Sequence, residues 1–215
     1  MRVLYISTYP PEFCGIGSYM HDFLNAIKNN LDDYIVISNR IDKNEHDTKV
    51  IRLLDPKNPI TIFKALSKIK EFDPDVVHIQ YVSTLFQPWM SILMNMIKHP
   101  TLVESHEVLV YKHSRLNKLR KIALLYYEKV AYRNANKIIV HNKLMKDRLV
   151  KYYNISSEKI GVVDLGVDTE VDYKKDYSLN NKLLFFGFIH FDKGIDTLVD
   201  AFKIIQKKIQ TLNLY

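Results

Sequence analysis

The chain has 215 residues, of which 47% are hydrophobic and 26% charged, and it carries a formal net charge of +7. No apolar run approaches the roughly 20 residues that span a bilayer, and the N-terminus lacks the pattern of a secretory signal. The single cysteine, Cys14, excludes an intrachain disulfide, and together these features predict a cytoplasmic protein. The basic charge indicates an anionic partner, without choosing between nucleic acid, anionic lipid and a phosphorylated small molecule.

Short runs rich in Val and Ile alternate along the chain with longer stretches of helical period. Strands are predicted over 2–7, 34–38, 49–54, 76–81, 101–106, 137–142 and 159–166, and another begins at Lys182. Helices are predicted near 17–30, 60–72, 88–98, 115–135, 142–153 and 193–208. Such alternation is typical of βαβ units. The predicted fold class is therefore α/β, a Rossmann-like parallel sheet with flanking helices.

The composition changes after Gly166, which divides the chain into three segments. Residues 1–166 contain the first seven predicted strands and form one domain. Residues 167–181 are polar and lack a period, as is typical of an interdomain linker. Residues 182–215 hold one strand-helix unit, which cannot bury its own apolar face. We therefore expect them to be the start of a second α/β domain that is truncated at Tyr215.

The glycine loop Gly15-Ile16-Gly17 follows the first strand and opens a helix. A dinucleotide fingerprint would need a third glycine where Met20 stands, so a nicotinamide site is disfavoured. The free backbone N–H groups at a helix start could hold an anion. A tight turn between strand and helix explains the two glycines equally well.

Polar residues follow several predicted strands at the carboxyl edge of the sheet, where ligands of such folds bind. They are Gln80, Tyr81, Ser105, His106, Glu107, His141 and Asn142. His78, inside a strand, fits a core histidine better than a catalytic one, whereas for His106 the two interpretations are level. No group of His, Cys or Asp has the sequence spacing of a metal site, so none is predicted.

The segment 112–137 is strongly basic, with eight Lys or Arg against the single Glu128. At helical spacing, one stripe is predicted to face the core: Leu116, Leu119, Ala123, Tyr126, Tyr127 and Val130. Leu124 and Leu125 fall outside that stripe, beside lysines. Exposed leucines among lysines would suit a peripheral contact with a membrane, here its inner face. A solvated helix with a wide buried face is the other interpretation.

Six segments in order resemble the retaining, nucleotide-sugar-dependent glycosyltransferases of family 4, which have the GT-B fold. These segments are PPEFCGIGSYMHDFLNAI, DPDVVHIQY, TLVESHEV, NANKIIVHNKLMKDRL, KIGVVDLGVD and KLLFFGFIHFDKGIDTLVDAF. The resemblance implies an N-terminal domain on the acceptor side and a C-terminal domain that binds the donor. It also implies transfer of a hexose from a nucleotide-diphosphate sugar to a glycan or lipid-linked acceptor, without cofactor or metal.

The resemblance further implies roles for individual residues. His106 would be the catalytic residue that orients the transferred sugar, and Gly15, Ile16, Gly17 and Lys193 would hold the donor diphosphate. The remaining candidates for donor or acceptor contacts are Gln80, Tyr81, Glu107, His141, Asn142, Gly187 and His190.

The chain also departs from the family pattern. Cys14 stands at a usual glycine, Asp164 and Leu165 replace Pro-His or Pro-Asn, and His190 stands where a basic residue is common. The Glu-x(7)-Glu segment that holds the donor is not among the 215 residues, so little or no activity is expected from them alone. The alternative is an acceptor-binding or membrane-docking module, completed by a partner chain that supplies the donor domain. Nucleic-acid binding is not expected, because no RNP-type pattern or zinc-finger spacing occurs.

Overall fold

The computed structural model describes residues 1–41, 47–82, 89–110, 117–166, 182–187, 189 and 193–214. The chain forms two compact units, Met1–Asp168 and Thr169–Tyr215. Each is described here by itself.

The first unit is built on a parallel sheet. Its strands are β1 (Arg2–Ile6), β2 (Asp33–Asn39), β3 (Val50–Leu54), β4 (Val76–Tyr81), β5 (Thr101–Ser105), β6 (Lys137–Val140) and β7 (Ile160–Val162). Their order is β3-β2-β1-β4-β5-β6-β7, and every neighbouring pair is parallel. The predicted Rossmann-like α/β class is confirmed. The strand order reverses at β1, and β1 and β4 therefore flank the position where a ligand crevice is expected.

The helices of the first unit lie within a few residues of their predicted positions. They are α1 (Gly15–Ile27), α2 (Thr61–Phe72), α3 (Trp89–Met96), α4 (Lys118–Asn134) and α5 (Lys143–Tyr153). Asn117 and Asn142 cap α4 and α5 by accepting from Arg120 N and Met145 N, at 2.9 Å in each case. Both asparagines immediately precede a helical pattern, which is the sequence signal for such a cap.

The two faces of the sheet carry separate cores, because side chains alternate along each strand. On one face, Val3, Tyr5 and Val36 pack under α1 with Met20 and Leu24. On the other face, a larger core joins the strands to α2, α3, α4 and α5, and it includes these strand residues: Leu4, Ile6, Ile35, Ile37, Val77, Ile79, Val103, Ile138 and Val140. This division decides which strand residues can share a site.

Helix α4 buries the face opposite to the one predicted from its apolar stripe. Leu119, Ile122 and Tyr126 are 81%, 56% and 64% exposed, whereas Leu125 packs on the core. The buried side of α4 is instead formed by Glu128, Ala131 and Tyr132. The prediction was wrong because this side is polar in sequence. Hydrogen bonds to other elements satisfy these polar groups. The hydrophobic pattern of the helix contains no information about such partners.

The hydrogen bonds that let α4 bury polar groups reach two other elements. Tyr153 Oη in α5 donates to the Glu128 carboxylate, which is 1% exposed. Tyr132 Oη lies 2.8 Å from Ser105 Oγ at the end of β5. Burial raises the pKa of Tyr132 well above its usual value, so this hydroxyl stays neutral.

The second unit contains β8 (Lys182–Leu183), α6 (Ile195–Gln206) and β9 (Asn213–Leu214). β8 pairs with β9 in parallel; the strand predicted from Lys182 is shorter than expected, and β9 was not predicted. No residue of α6 is buried, as expected for one strand-helix unit without further strands to cover it. The predicted linker 167–181 lies outside the described residues. None of the helices described in either unit is both long and apolar enough to cross a membrane.

Candidate active site

Strand periodicity gathers five polar residues on the α1 face of the sheet, at its carboxyl edge. Gln80 and Glu104 are register partners in β4 and β5, and Glu104 pairs in turn with Ile139 of β6. His78 lies two positions before Gln80, His106 two after Glu104, and His141 two after Ile139. Since side chains two apart point to the same face, three strands contribute to one cluster.

Glu104 is the centre of this cluster and is buried, with 3% exposure. Tyr19 Oη, on α1, donates to Oε1 at 2.7 Å, and Gln80 Nε2 donates to Oε2 at 2.9 Å. His78 Nε2 lies 3.0 Å from Oε2. An ionised carboxylate can only accept hydrogen bonds, so donors from α1 and β4 converge on one anionic group. His78 Nε2, also from β4, lies within ion-pair distance of the same oxygen but makes no aligned hydrogen bond with it.

The contacts of Glu104 outweigh the cost of burying its charge. Burial by itself raises the pKa of this carboxyl, but His78, Tyr19 and Gln80 stabilise the ionised form and bring the pKa down to about 2. Burial and the same carboxylate raise the pKa of Tyr19 far above its usual value. At neutral pH the cluster therefore holds a carboxylate and a neutral phenol.

His106 lies beside this carboxylate as a neutral imidazole. Its Nε2 contacts Gln80 Oε1. The ring stands edge-on to Tyr19 at 5.2 Å between centroids and is tilted against His141 at 4.9 Å. Burial lowers the pKa of His106 to about 4; the charge of Glu104 opposes this shift, and the neighbouring His141 and His78 reinforce it.

His141 closes the cluster on the β6 side. Its Nδ1 lies 3.1 Å from the Val163 carbonyl oxygen, and its Nε2 lies 3.6 Å from Glu104 Oε1. Among the described residues, Glu104, His106 and His141 are the group that could ligate a metal, with ligand atoms within 4.8 Å of one another. Two ligands of one zinc ion lie at most about 4.2 Å apart, given bonds of about 2.1 Å. An upper limit of 4.8 Å does not by itself establish that spacing, and the expectation of no metal stays a prediction.

The glycine loop lies at the start of α1, where the two glycines have different surroundings. A Cβ on Gly15 would meet nothing within 4 Å, but one on Gly17 would lie 3.2 Å from Tyr9 N and 3.3 Å from Tyr9 Cα. Gly17 is thus required by close packing against the loop after β1. Cys14 precedes the helix without a side-chain cap, so the first-turn N–H groups lack the partner that a capping residue supplies.

Tyr19 connects the glycine loop with the histidine cluster. It is one turn beyond Gly15 in α1 and holds Glu104 by the hydrogen bond described above. The backbone N–H groups predicted to face a diphosphate and the imidazole predicted to face a sugar are therefore joined by one side-chain contact.

The other predicted site residues lie apart from this cluster or serve the fold. Tyr81 is fully buried on the opposite face of the sheet, where its ring packs edge-on to Tyr132 at 5.3 Å. Asn142 caps α5, and the carbonyl oxygen of Glu107 accepts from Ser105 Oγ at 2.7 Å. Strand alternation places Tyr81 in the core, since it is one position from Gln80.

Three predicted residues belong to the second unit. Gly187, with φ of +139°, and Lys193 are described there. His190 lies outside the described residues.

Sequence reasoning missed the two residues that organise the site, Glu104 and Tyr19. Glu104 could have been recognised as an acid inside an apolar strand, two positions before His106 and therefore on the same face. Tyr19 gave no comparable signal, because its partner is 85 positions away in sequence.

Comparisons with known proteins agree with this architecture. The sequence model of Glycosyltransferase Family 4 matches residues 13–171. The fold is similar to that of a sucrose-phosphate synthase from Thermosynechococcus elongatus, with a TM-score of 0.72 and 17% identity over 100% of this chain and 61% of that one. It is also similar to an alpha-glucosyltransferase in complex with UDP and a 13-mer DNA, with a TM-score of 0.52 and 18% identity over 78% of this chain and 43% of that one.

The two structural likenesses are too distant in sequence to establish more than the fold, and this chain spans less than two thirds of either protein. A comparison with curated proteins gives no sequence match. The family match nevertheless covers most of the first unit, including the glycine loop and the whole histidine cluster. The chain therefore belongs to glycosyltransferase family 4.

Proposed function

We propose that this chain is the acceptor-side part of a retaining enzyme that transfers a hexose from a nucleotide-diphosphate sugar to a glycan or lipid-linked acceptor. The observation that carries the proposal is the Glu104 cluster at the strand ends. It fixes His106 and, through Tyr19, the start of α1 on the same edge of the sheet. The family resemblance assigns the sugar to the first of these features and the donor diphosphate to the second.

In this proposal the diphosphate is held by the N–H groups of Gly15, Ile16 and Gly17 and by Lys193. The departing diphosphate gains negative charge as the sugar leaves, so a helix start and a fixed cation lower the barrier. His106, neutral because of its low pKa, orients the sugar by a hydrogen bond without attracting the phosphate to itself.

Gly15 offers the cleaner test of the diphosphate contact. A Cβ at position 15 lies in open space, so the fold should survive the Gly15→Val substitution. The valine side chain should obstruct the approach of the donor diphosphate to the backbone N–H groups and so weaken donor binding. In the complete enzyme, which includes the donor domain, we expect kcat/KM with a nucleotide sugar to fall at least about tenfold, with thermal stability unchanged. The matched control is Ser18→Val, one turn further along α1. Normal turnover in Gly15→Val would show that the loop serves only as a turn.

We further propose that residues 1–166 form the acceptor-side domain, 167–181 the linker and 182–215 the first part of the donor domain. The 215 residues by themselves should then show little or no transfer in a radiolabelled-sugar assay. The DNA after codon 215 tests this arrangement directly. A continuing frame with a strand and a Glu-x(7)-Glu segment supports a single-chain enzyme, and a separate frame with such a segment supports a module completed by a partner chain. Robust turnover by the 215 residues alone contradicts the proposed division of the domains.

A second candidate function, peripheral binding at the cytoplasmic face of a membrane, is favoured by the surface of α4. Leu119, Ile122 and Tyr126 lie exposed along one side of the helix, and Lys118 and Lys129 flank them at helical spacing. An apolar stripe flanked by cations suits anionic lipid, which would also hold a lipid-linked acceptor close.

Vesicle sedimentation tests the membrane proposal. The double substitution Leu119→Glu and Tyr126→Glu should abolish binding to vesicles rich in anionic lipid, because such vesicles attract basic segments at their surface. The control, Ile204→Glu in α6, changes an equally exposed apolar residue elsewhere. Equal sedimentation of all variants would refute a role of α4. Gel shifts at moderate salt check the expectation that nucleic acid is not a partner.

A further inference from the structure

The hydrogen-bond chain from Glu104 to His106 determines which ring nitrogen of His106 carries hydrogen. Glu104 is ionised and only accepts, so the end of the Gln80 amide that faces it at 2.9 Å must be the NH₂ group. The other end of the same amide, Oε1, is then directed to His106 Nε2. An amide oxygen is only an acceptor, so His106 Nε2 must be the donor.

The second ring nitrogen of His106 is thereby left with a lone pair. The ring is neutral at physiological pH, since burial holds its pKa at about 4, and its one hydrogen is on Nε2. Nδ1 makes no hydrogen bond with any residue in the described ranges. The ring itself is only partly buried, so this acceptor remains open to a ligand.

His141 differs from His106, because its second ring nitrogen is buried against Glu104. Its Nδ1 faces the Val163 carbonyl oxygen at 3.1 Å and must therefore donate. Its Nε2 is buried without a hydrogen-bond partner and faces Glu104 Oε1 at 3.6 Å, which is too long for a hydrogen bond. The open acceptor of the cluster is thus His106 Nδ1, because the Glu104 carboxylate and His141 Nε2 are both buried.

We propose that Gln80 is a positioning residue that fixes the tautomer of His106, and that the acceptor so created, Nδ1 of His106, selects hydroxyl groups of a neutral sugar over an anionic sugar. A hydroxyl brings a hydrogen to Nδ1, whereas the carboxylate of a uronic acid brings only lone pairs and negative charge beside Glu104. This inference rests on the proposed function for the identity of the ligand, but the tautomer follows from the chain alone.

The tautomer is measured by nitrogen-15 NMR of the 215-residue chain labelled in histidine, with His106→Asn to assign the signals. At pH 7 we expect Nε2 of His106 to show the chemical shift of a protonated ring nitrogen and Nδ1 to show that of an unprotonated one. In Gln80→Leu the two signals should move toward each other as both tautomers become populated. In Gln80→Lys, the new side chain offers a donor instead of an acceptor to Nε2. Nδ1 should then become the protonated nitrogen and Nε2 the unprotonated one.

The control for folding is Asn39→Leu, which also removes a buried amide at a strand end but contacts Glu12 instead of His106. It should leave both His106 signals unchanged. Hydrogen on Nδ1 of the unsubstituted chain would overturn the proposal outright, even if both Gln80 variants failed to fold.

The ligand class is tested by titrating the complete enzyme, which includes the donor domain and is labelled in the same way, with a nucleotide-diphosphate hexose and with the corresponding uronic acid. The hexose should shift the Nδ1 signal at a concentration at least about tenfold below that needed for the uronic acid. A tenfold ratio of dissociation constants is the size of effect expected from one additional hydrogen bond. Equal responses, or none, would overturn the selection of neutral sugars. A shift without transfer in the complete enzyme would instead refute the proposed function. A response to Zn²⁺ alone that displaces the sugar would identify a metal site and overturn the proposal as well.

Discussion

At the scale of single residues, the site depends on one buried carboxylate. Glu104 holds α1, β4 and β5 through Tyr19, Gln80 and His78. Its charge is favourable in the core because Tyr19 and Gln80 donate hydrogen bonds to it and the His78 ring lies against it. Both donors are weakened if the charge is lost.

We expect Glu104→Gln to lower the free energy of unfolding by about 1–3 kcal/mol, as for other buried groups that lose a partner. The amide keeps the shape of the side chain but turns one acceptor into a donor, which then faces Tyr19 or Gln80. Chemical denaturation of the two proteins at pH 7 measures the difference. The control is Gln206→Glu in α6, which makes the reverse substitution at an exposed position and should leave stability nearly unchanged. A Glu104→Gln variant as stable as the parent would contradict the hydrogen-bond network around Glu104.

Acid should destabilise the first unit in two separate pH ranges. Folding lowers the pKa of His106 from 6.5 to about 4, so the unfolded state binds more protons between these values and stability is lost as pH falls through them. Folding lowers the pKa of Glu104 from 4.5 to about 2, which removes further stability below pH 4.5.

The His106 range can be isolated by substitution. At 1.36 kcal/mol per pKa unit, the loss between pH 6.5 and 4 amounts to at most about 3 kcal/mol. In His106→Gln that part of the pH profile should be flat, while the loss below pH 4.5 remains. Unfolding by urea at half-unit intervals of pH gives both profiles, and a His106→Gln profile identical to the parent would show that another group titrates there.

At the scale of elements, the glycine loop combines a packing requirement with an open helix start. Gly17 allows the backbone of α1 to approach that of Tyr9, and Gly15 leaves space in front of the first turn. The loop is therefore both the turn and the candidate cradle, with a different glycine responsible for each property.

The two glycines should respond differently to one added methyl group. Gly17→Ala forces backbone to move away from backbone and should lower the midpoint of thermal unfolding, at a cost of about 1–3 kcal/mol typical of overpacking. Gly15→Ala meets no neighbour and should be neutral or slightly stabilising, because alanine favours helix. Calorimetry of the two variants decides the matter, and equal midpoints would contradict the close approach at Gly17.

At the scale of the whole chain, the first unit carries both cores and the second carries neither. The strands and helices that enclose the buried residues all lie before Asp168, whereas α6 buries no residue. The balance of apolar burial against conformational entropy thus favours folding of the first unit alone.

Expression of the two parts separately tests this difference. Residues 1–168 should fold with dispersed amide signals and a cooperative melt close to that of the whole chain. Residues 169–215 should give the narrow dispersion of an unfolded peptide in NMR. A first unit that requires the second for cooperative melting would contradict the assignment of the cores.

The sequence by itself determined the order and type of the elements, since periods of two and 3.6 residues and asparagine caps are local properties. It also placed Gln80, His106 and His141 at one edge of the sheet. It did not determine which way α4 faces, because the hydrogen bonds that allow Glu128 and Tyr132 to be buried come from distant residues. Nor did it identify Glu104 and Tyr19 as the centre of the site. Their contact depends on α1 packing across the sheet, and only the tertiary structure brings together groups so far apart in the chain.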